Sequence, residues 1–100
     1  MRVVSKRVLL AFCERHAVAR QSLLAWYEDA AKAAWTTPQD IRAWYSSVSF
    51  VGRNRVVFNI EGNDSRLIVA VAYRIGVVYI KLVGTHGEYD RIDAETVEQE

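Results

Sequence analysis

The hydrophobic period of this chain changes once, near Ser46-Ser47, and that change restricts the fold more than any other feature. Upstream, apolar residues recur at helical spacing: Leu9, Phe12 and Cys13, then, after a polar break from His16 to Gln21, Leu23, Leu24, Tyr27, Ala31 and Ala34. Residues 1–35 contain neither Gly nor Pro, so two helices or one bent helix fit, with Glu14-Arg15-His16 as the corner. Ahead of them Arg2-Val3-Val4-Ser5 reads as a short first strand, with Ser5 capping the helix that follows. Thr37-Pro38-Gln39-Asp40 opens another short helix, because Thr37 caps, Pro38 suits the first helical position and Asp40 lies three residues after the cap. That helix runs through Ile41, Arg42 and Trp44.

Downstream the period is two. Val56, Phe58 and Ile60 alternate in one strand, Leu67, Val69, Val71 and Tyr73 in the next, and Val77 to Val83 form the third. The links Glu61-Gly62-Asn63-Asp64 and Arg74-Ile75-Gly76 carry turn chemistry and are too short for a parallel crossover, which makes the strands an antiparallel meander. Val48-Ser49-Phe50-Val51 either extends the first of these strands or forms a separate piece, with Gly52-Arg53-Asn54-Arg55 as a bulge or a turn. The pattern predicts one α+β domain over residues 1–100, its N-terminal helices packed on one face of a mainly antiparallel sheet and the other face left available for binding. On the middle strand the bulkier face, Leu67, Val69, Val71 and Tyr73, is assigned to the core, while Arg66, Ile68, Ala70 and Ala72 point the other way.

Composition narrows the classes. With 51% hydrophobic and 25% charged residues, 5 Gly and 1 Pro, a chain of 100 residues has globular composition and little room for a disordered linker or a second domain. The single cysteine, Cys13, makes no internal disulfide and no CxxC clamp, which fits a reducing compartment. Arg66, Tyr73-Arg74 and Lys81 interrupt the longest apolar stretches, and Met1-Arg2-Val3-Val4-Ser5 lacks the apolar core of a signal peptide. A soluble cytoplasmic protein with no membrane contact is expected. Residues 1–86 carry 12 Lys and Arg against 6 Asp and Glu, whereas residues 87–100 carry 1 against 6. A cationic body suits an anionic partner such as RNA, and equally a solvated surface. The acidic tail suits two roles, masking the basic face or meeting the arginines of a partner protein.

No Gly-rich phosphate loop, metal-ligand cluster or GxSxG elbow occurs. Cys13 lies on an apolar helical stripe and reads as an inert core thiol. Trp26, Tyr27, Trp35, Trp44 and Tyr45 have the spacing of core packing, although aromatics also stack bases. The chemistry gathers in Gly84-Thr85-His86-Gly87-Glu88-Tyr89-Asp90, after the last strand. There His86 brings an imidazole, a group that as a type titrates near neutrality, Tyr89 relays a proton, and Asp90 orients an imidazole or holds an arginine. The same stretch also fits a polar strand exit followed by a C-terminal helix capped by Asp90 or Asp93. Arg66 opens an otherwise apolar strand, where an arginine either pairs with a carboxylate or awaits a phosphate. Arg53, Arg55, Arg74 and Lys81 complete a basic set.

Asn54-Arg55-Val56-Val57-Phe58-Asn59-Ile60, Gly62-Asn63, Arg66-Leu67-Ile68-Val69-Ala70-Val71 and Gly84-Thr85-His86 with Glu88-Tyr89-Asp90, in this order, resemble the HigB family of bacterial toxins. The resemblance runs over nearly the whole chain, including Ala25-Trp26-Tyr27 and the Trp35 to Pro38 corner. It implies a RelE-like fold and an mRNA interferase of a type II toxin-antitoxin module, acting on the translating ribosome. The implied partners are a HigA-like antitoxin, mRNA and the ribosome, with operator DNA met only through the antitoxin complex. It also implies metal-independent, cofactor-free cleavage in which the ribose 2′-hydroxyl attacks the adjacent phosphorus. In that chemistry Arg66 is the phosphate clamp, His86 the acid or base, Tyr89 a phosphate-orienting or stacking group and Asp90 a support for His86. Arg53, Arg55, Lys81 and Arg74 then bind RNA. Ser65 stands where the family often has an aromatic, and Lys81 where an arginine is common. A reading from a different class is a non-catalytic module that binds RNA or protein.

Overall fold

The computed structural model describes residues 1–60 and 64–98. The elements run β1 (Arg2–Val4), α1 (Lys6–Arg15), a 3-10 turn (Ala17–Ala19), α2 (Arg20–Lys32), α3 (Pro38–Trp44), β2 (Val48–Val51), β3 (Arg55–Ile60), β4 (Ser65–Ala72), β5 (Val77–Thr85) and α4 (His86–Tyr89). The first helical stretch is two helices. At the corner His16 leaves helical geometry (φ −135°, ψ 75°), donates its N–H to Phe12 O at 2.9 Å and stacks on the Phe12 ring at 4.4 Å. Ser5 holds the cap position of α1 in left-handed backbone (φ 75°). Thr37 caps α3, and Asp40 Oδ2 accepts from the N–H groups of Thr36 (2.9 Å) and Thr37 (3.2 Å). Two amides that a helix start leaves unbonded are thereby satisfied.

The α2 stripe differs from the expected one. Leu23, Trp26 and Ala30 are buried, Leu24 and Tyr27 are half-buried, Ala31 is exposed, and Ala34 lies beyond the helix end and is exposed. The helix is turned toward its indole, which carries far more apolar area than an alanine methyl. Trp26 and Trp35 are core as expected, and Tyr27 and Tyr45 pack against it, whereas Trp44 at the end of α3 is 67% exposed.

The sheet order is β1-β5-β4-β3-β2. β2, β3, β4 and β5 form the expected antiparallel meander, and β1 closes it by pairing parallel to β5, with Arg2 opposite Val77. Gly52-Arg53-Asn54-Arg55 is a turn between two strands: Arg53 (φ 63°) and Asn54 (φ 60°) are both left-handed, the backbone of a type I′ hairpin turn. Of the link at Glu61-Gly62-Asn63-Asp64, the first three residues lie outside the described residues. Val56, Phe58, Leu67, Val69, Val71, Val78 and Ile80 point into the core beneath Leu9, Phe12, Leu23, Trp26 and Ile41. Phe58 is its hub, touching the rings of Tyr45 (5.1 Å), Trp26 (5.4 Å) and Trp35 (6.4 Å).

The second face of the sheet is not open along its length. Val57 and Ile68 on that face are 2% and 0% exposed. The C-terminal segment reaches across it, with Ala94 and Val97 carbonyls and the Glu98 carboxylate on Arg55, Glu98 also on Lys81, and the Glu95 side chain against Gly52. The tail thus corrects the expectation of a free face by taking the first of the two roles its charge suits, masking the basic face.

Candidate active site

One end of the sheet brings together the start of β4, the end of β5 and the single turn of α4. Arg66 lies in register between Asn59 of β3 and Gly84 of β5. Asn59 is fixed by donating its side-chain amide to Ser47 O (2.9 Å) and Oγ (2.7 Å). At Gly84 a Cβ would sit 3.3 Å from Glu88 Cβ, so the absent side chain lets α4 fold tightly back on the strand.

α4 starts at His86, not at Asp90 or Asp93. Thr85 is its N-cap, accepting from Glu88 N at 3.2 Å, while Glu88 Oε1 accepts from Thr85 N at 2.9 Å. Asp90 closes the C-terminus of this turn, and Asp93 Oδ1 instead accepts from Glu95 N. The bond from the Thr85 N–H holds the Glu88 carboxyl below its ordinary value, with help from the Thr85 hydroxyl and the charges of Arg15 and His16. The T-x-x-E spacing announces this box in the sequence, where the two aspartates downstream drew the cap assignment away from it.

The cap directs the His86 side chain onto Arg66, with Arg66 Nη2 3.0 Å from His86 Nδ1. A guanidinium only donates, so Nδ1 accepts through its lone pair and the imidazole proton sits on Nε2. Nε2 in turn faces Asp90 Oδ2 at 3.6 Å, one helical turn on. The Arg66 guanidinium also lies over the Tyr89 ring, 5.6 Å from its centroid. Arg66, His86, Tyr89 and Asp90 are therefore one cluster, with the His86 and Asp90 side chains 59% and 60% exposed. Such a group offers a cation to an anionic substrate, an imidazole beside it and a carboxylate behind the imidazole.

The basic set is dispersed. Arg55 faces Ala70, four residues along the strands from Arg66 or about 13 Å, and is 4% exposed under the tail. Lys81 is bound to Glu98 at 2.7 Å. Arg53 on the β2–β3 turn and Arg74 after β4 are exposed at the opposite end of the sheet from Arg66. Sequence reasoning passed over Arg15 and His16, which approach Glu88 from α1, since nothing in a helical stripe signals that its C-terminal end meets α4. Cys13 is buried, and that burial pushes its thiol pKa up. No described helix is long and apolar enough to cross a membrane.

Among the described residues, four helices on a five-stranded, mostly antiparallel sheet, with the polar cluster at one sheet end, make this a RelE-like α+β protein. A family model described as HigB_toxin, RelE-like toxic component of a toxin-antitoxin system, matches residues 19–92, and the chain belongs to that family. It is similar to the mRNA interferase toxin HigB of Escherichia coli and to the mRNA interferase HigB of Shigella flexneri. Each is 27% identical over 93 residues, covering 90% of this chain and 88% of the relative.

Proposed function

We propose that this chain is the toxin of a toxin-antitoxin pair and an endoribonuclease that cuts mRNA in the cytoplasm, on the translating ribosome, without a metal ion. Its antitoxin is HigA-like, and it meets operator DNA only through the complex with that antitoxin. Two relatives named mRNA interferase over most of their length support the activity. The observation that carries the mechanism is the Arg66–His86 contact at 3.0 Å. In the reaction, phosphate oxygens take the guanidinium fork of Arg66, which releases the Nδ1 lone pair of His86. His86 accepts the proton of the ribose 2′-hydroxyl as its oxygen bonds to phosphorus. Asp90 stabilises the imidazolium so formed, and Arg66 balances the charge of the phosphorane. The P–O5′ bond then breaks and the leaving oxygen takes up a proton, giving a 2′,3′-cyclic phosphate and a 5′-hydroxyl. Tyr89 holds the guanidinium from below and offers a stacking surface to an adjacent base.

The test is induction of the chain beside Arg66→Ala and His86→Ala in a bacterial host, with growth followed and mRNA ends mapped. Arrest with new in-frame cuts, absent from both variants, is expected. Soluble wild-type protein that leaves growth and messages intact while still binding RNA assigns a binding module instead.

A further inference from the structure

The sheet face beside the cluster holds a second anion seat. Glu98 Oε2 lies 2.7 Å from Arg55 Nη2 and Glu98 Oε1 2.7 Å from Lys81 Nζ, so one carboxylate bridges two cations with both oxygens. Arg55 is further held by the carbonyls of Ala94 and Val97. The pair is built into the scaffold: Arg55 opens β3, Lys81 sits on β5, and the Arg55 side chain is 4% exposed. Lys81 also borders a groove of ≈ 610 Å³ between α1 and β5, whose other cations are Arg7 and Arg15. The acid that fills the seat comes from the segment with one basic and six acidic residues over positions 87–100, whereas the body it covers is cationic.

We infer that the Arg55–Lys81 pair is a binding site for an RNA backbone phosphate further along the strand than the one clamped by Arg66, and that Glu98 occupies it as a stand-in which RNA displaces. Two carboxylate oxygens spread over two cations reproduce what a phosphodiester presents with its two non-bridging oxygens. Arg55 and Arg66 share one sheet face about 13 Å apart along the strands, so a single-stranded RNA held at Arg66 runs over the seat. The lowered pKa of Glu98, caused first by its bond to Lys81, agrees with a carboxylate held charged by the seat. This inference rests on the proposed ribonuclease reading and adds to it a substrate contact and a competing tail.

The experiment measures binding of the full chain to a 2′-O-methyl RNA oligonucleotide, which lacks the attacking hydroxyl and cannot be cut, as a function of salt. E98Q keeps the side-chain shape and removes the charge. It should tighten binding about two- to fivefold, the range that loss of an exposed ion pair supports. It should also steepen the log–log salt dependence by about 0.7 for each cation released to a phosphate. Adding K81Q to E98Q should take back about 0.7 of that steepening and leave the share due to Arg55, while E28Q, which neutralises an exposed acid on α2, should change neither quantity. Unchanged affinity in E98Q, an equal gain in E28Q, or a gain for a hexaglutamate peptide in place of RNA overturns the inference. Wild-type protein that neither arrests growth nor cuts RNA, beside an E98Q protein that gains RNA affinity, overturns the ribonuclease reading and leaves the seat standing.

Discussion

Thr85→Ala tests whether the site depends on a single helical turn. α4 has four residues and fully buries none of them, its contacts with the sheet being those of Arg66 with His86 and Tyr89 and the His86 N–H on Asp64 O, and one turn has no stability of its own in water. What holds it is the pair of bonds between Thr85 and Glu88, at 2.9 and 3.2 Å, and the close approach that Gly84 allows. Loss of a threonine N-cap costs about 1 kcal/mol, a factor of about five in the equilibrium between formed and frayed α4. Catalysis that requires the formed turn follows its population, so the rate of RNA cleavage should drop by up to about fivefold. A cap joined to the global core would also lower Tm by roughly 4–8 °C in a chain of this size, but a turn that frays by itself moves Tm by less. Single-turnover cleavage and calorimetry on the same preparations separate the two quantities. Thr85→Ser keeps the hydroxyl and should restore the rate. A Thr85→Ala protein that cleaves at the wild-type rate refutes the argument, and so does a rate loss that Thr85→Ser leaves in place.

Other predictions concern the scaffold. Phe58→Ala removes the ring shared by Tyr45, Trp26 and Trp35 and should cost about 3–5 kcal/mol, read as a Tm drop of roughly 12 °C or more by calorimetry; a drop of only a few degrees contradicts the hub assignment. Arg53→Gly relieves a left-handed arginine and should raise Tm by roughly 4–8 °C for the ~1 kcal/mol of backbone strain removed, and a lower Tm contradicts the turn geometry. Glu88 titrates below its ordinary value of 4.5 in the folded chain, so its stabilisation is complete above that value and is lost as pH falls through the lower folded one. Circular dichroism melts over this acid range should show a shallower loss of Tm in Glu88→Gln, which still caps, than in wild type, and equal slopes would assign the acid sensitivity to other carboxylates.

Elements whose boundaries depend on local chemistry were legible from the sequence. The Thr37-Pro38-Gln39-Asp40 start of α3, the corner at His16 and the alternation in β3, β4 and β5 all follow from backbone rules acting within a few residues. The parallel pairing of β1 with β5 joins residues about 75 apart, and no local pattern carries that partner choice. The α2 face shows the same limit, since helical spacing permits several stripes and the neighbours that accept Trp26 decide among them. In the candidate site, Arg66 and the His86 to Asp90 block stood out because each is a polar interruption of an apolar context. Masking of the basic face by the tail was legible in its charge; which cations it covers, Arg55 and Lys81, was not, because its acids carry no periodicity that says where they land.

The two anion seats give the sheet face a common logic. At one, Arg66 is held by an imidazole lone pair, a neutral partner that a phosphate outcompetes because a charged acceptor bonds a guanidinium more strongly than a neutral one. At the other, Arg55 and Lys81 are held by a carboxylate, a charged partner whose departure also releases a tail. Under the proposed reaction the Arg66 seat fills more readily, and filling it frees the His86 base; the Arg55 seat requires a longer RNA, one of whose more distant phosphates displaces Glu98. Affinity should therefore step up at the oligonucleotide length that reaches the second seat, and the step should be larger in E98Q, where no carboxylate has to be displaced. A series of 2′-O-methyl RNAs lengthened one nucleotide at a time gives that curve, and identical curves for the two proteins would separate the tail from RNA binding.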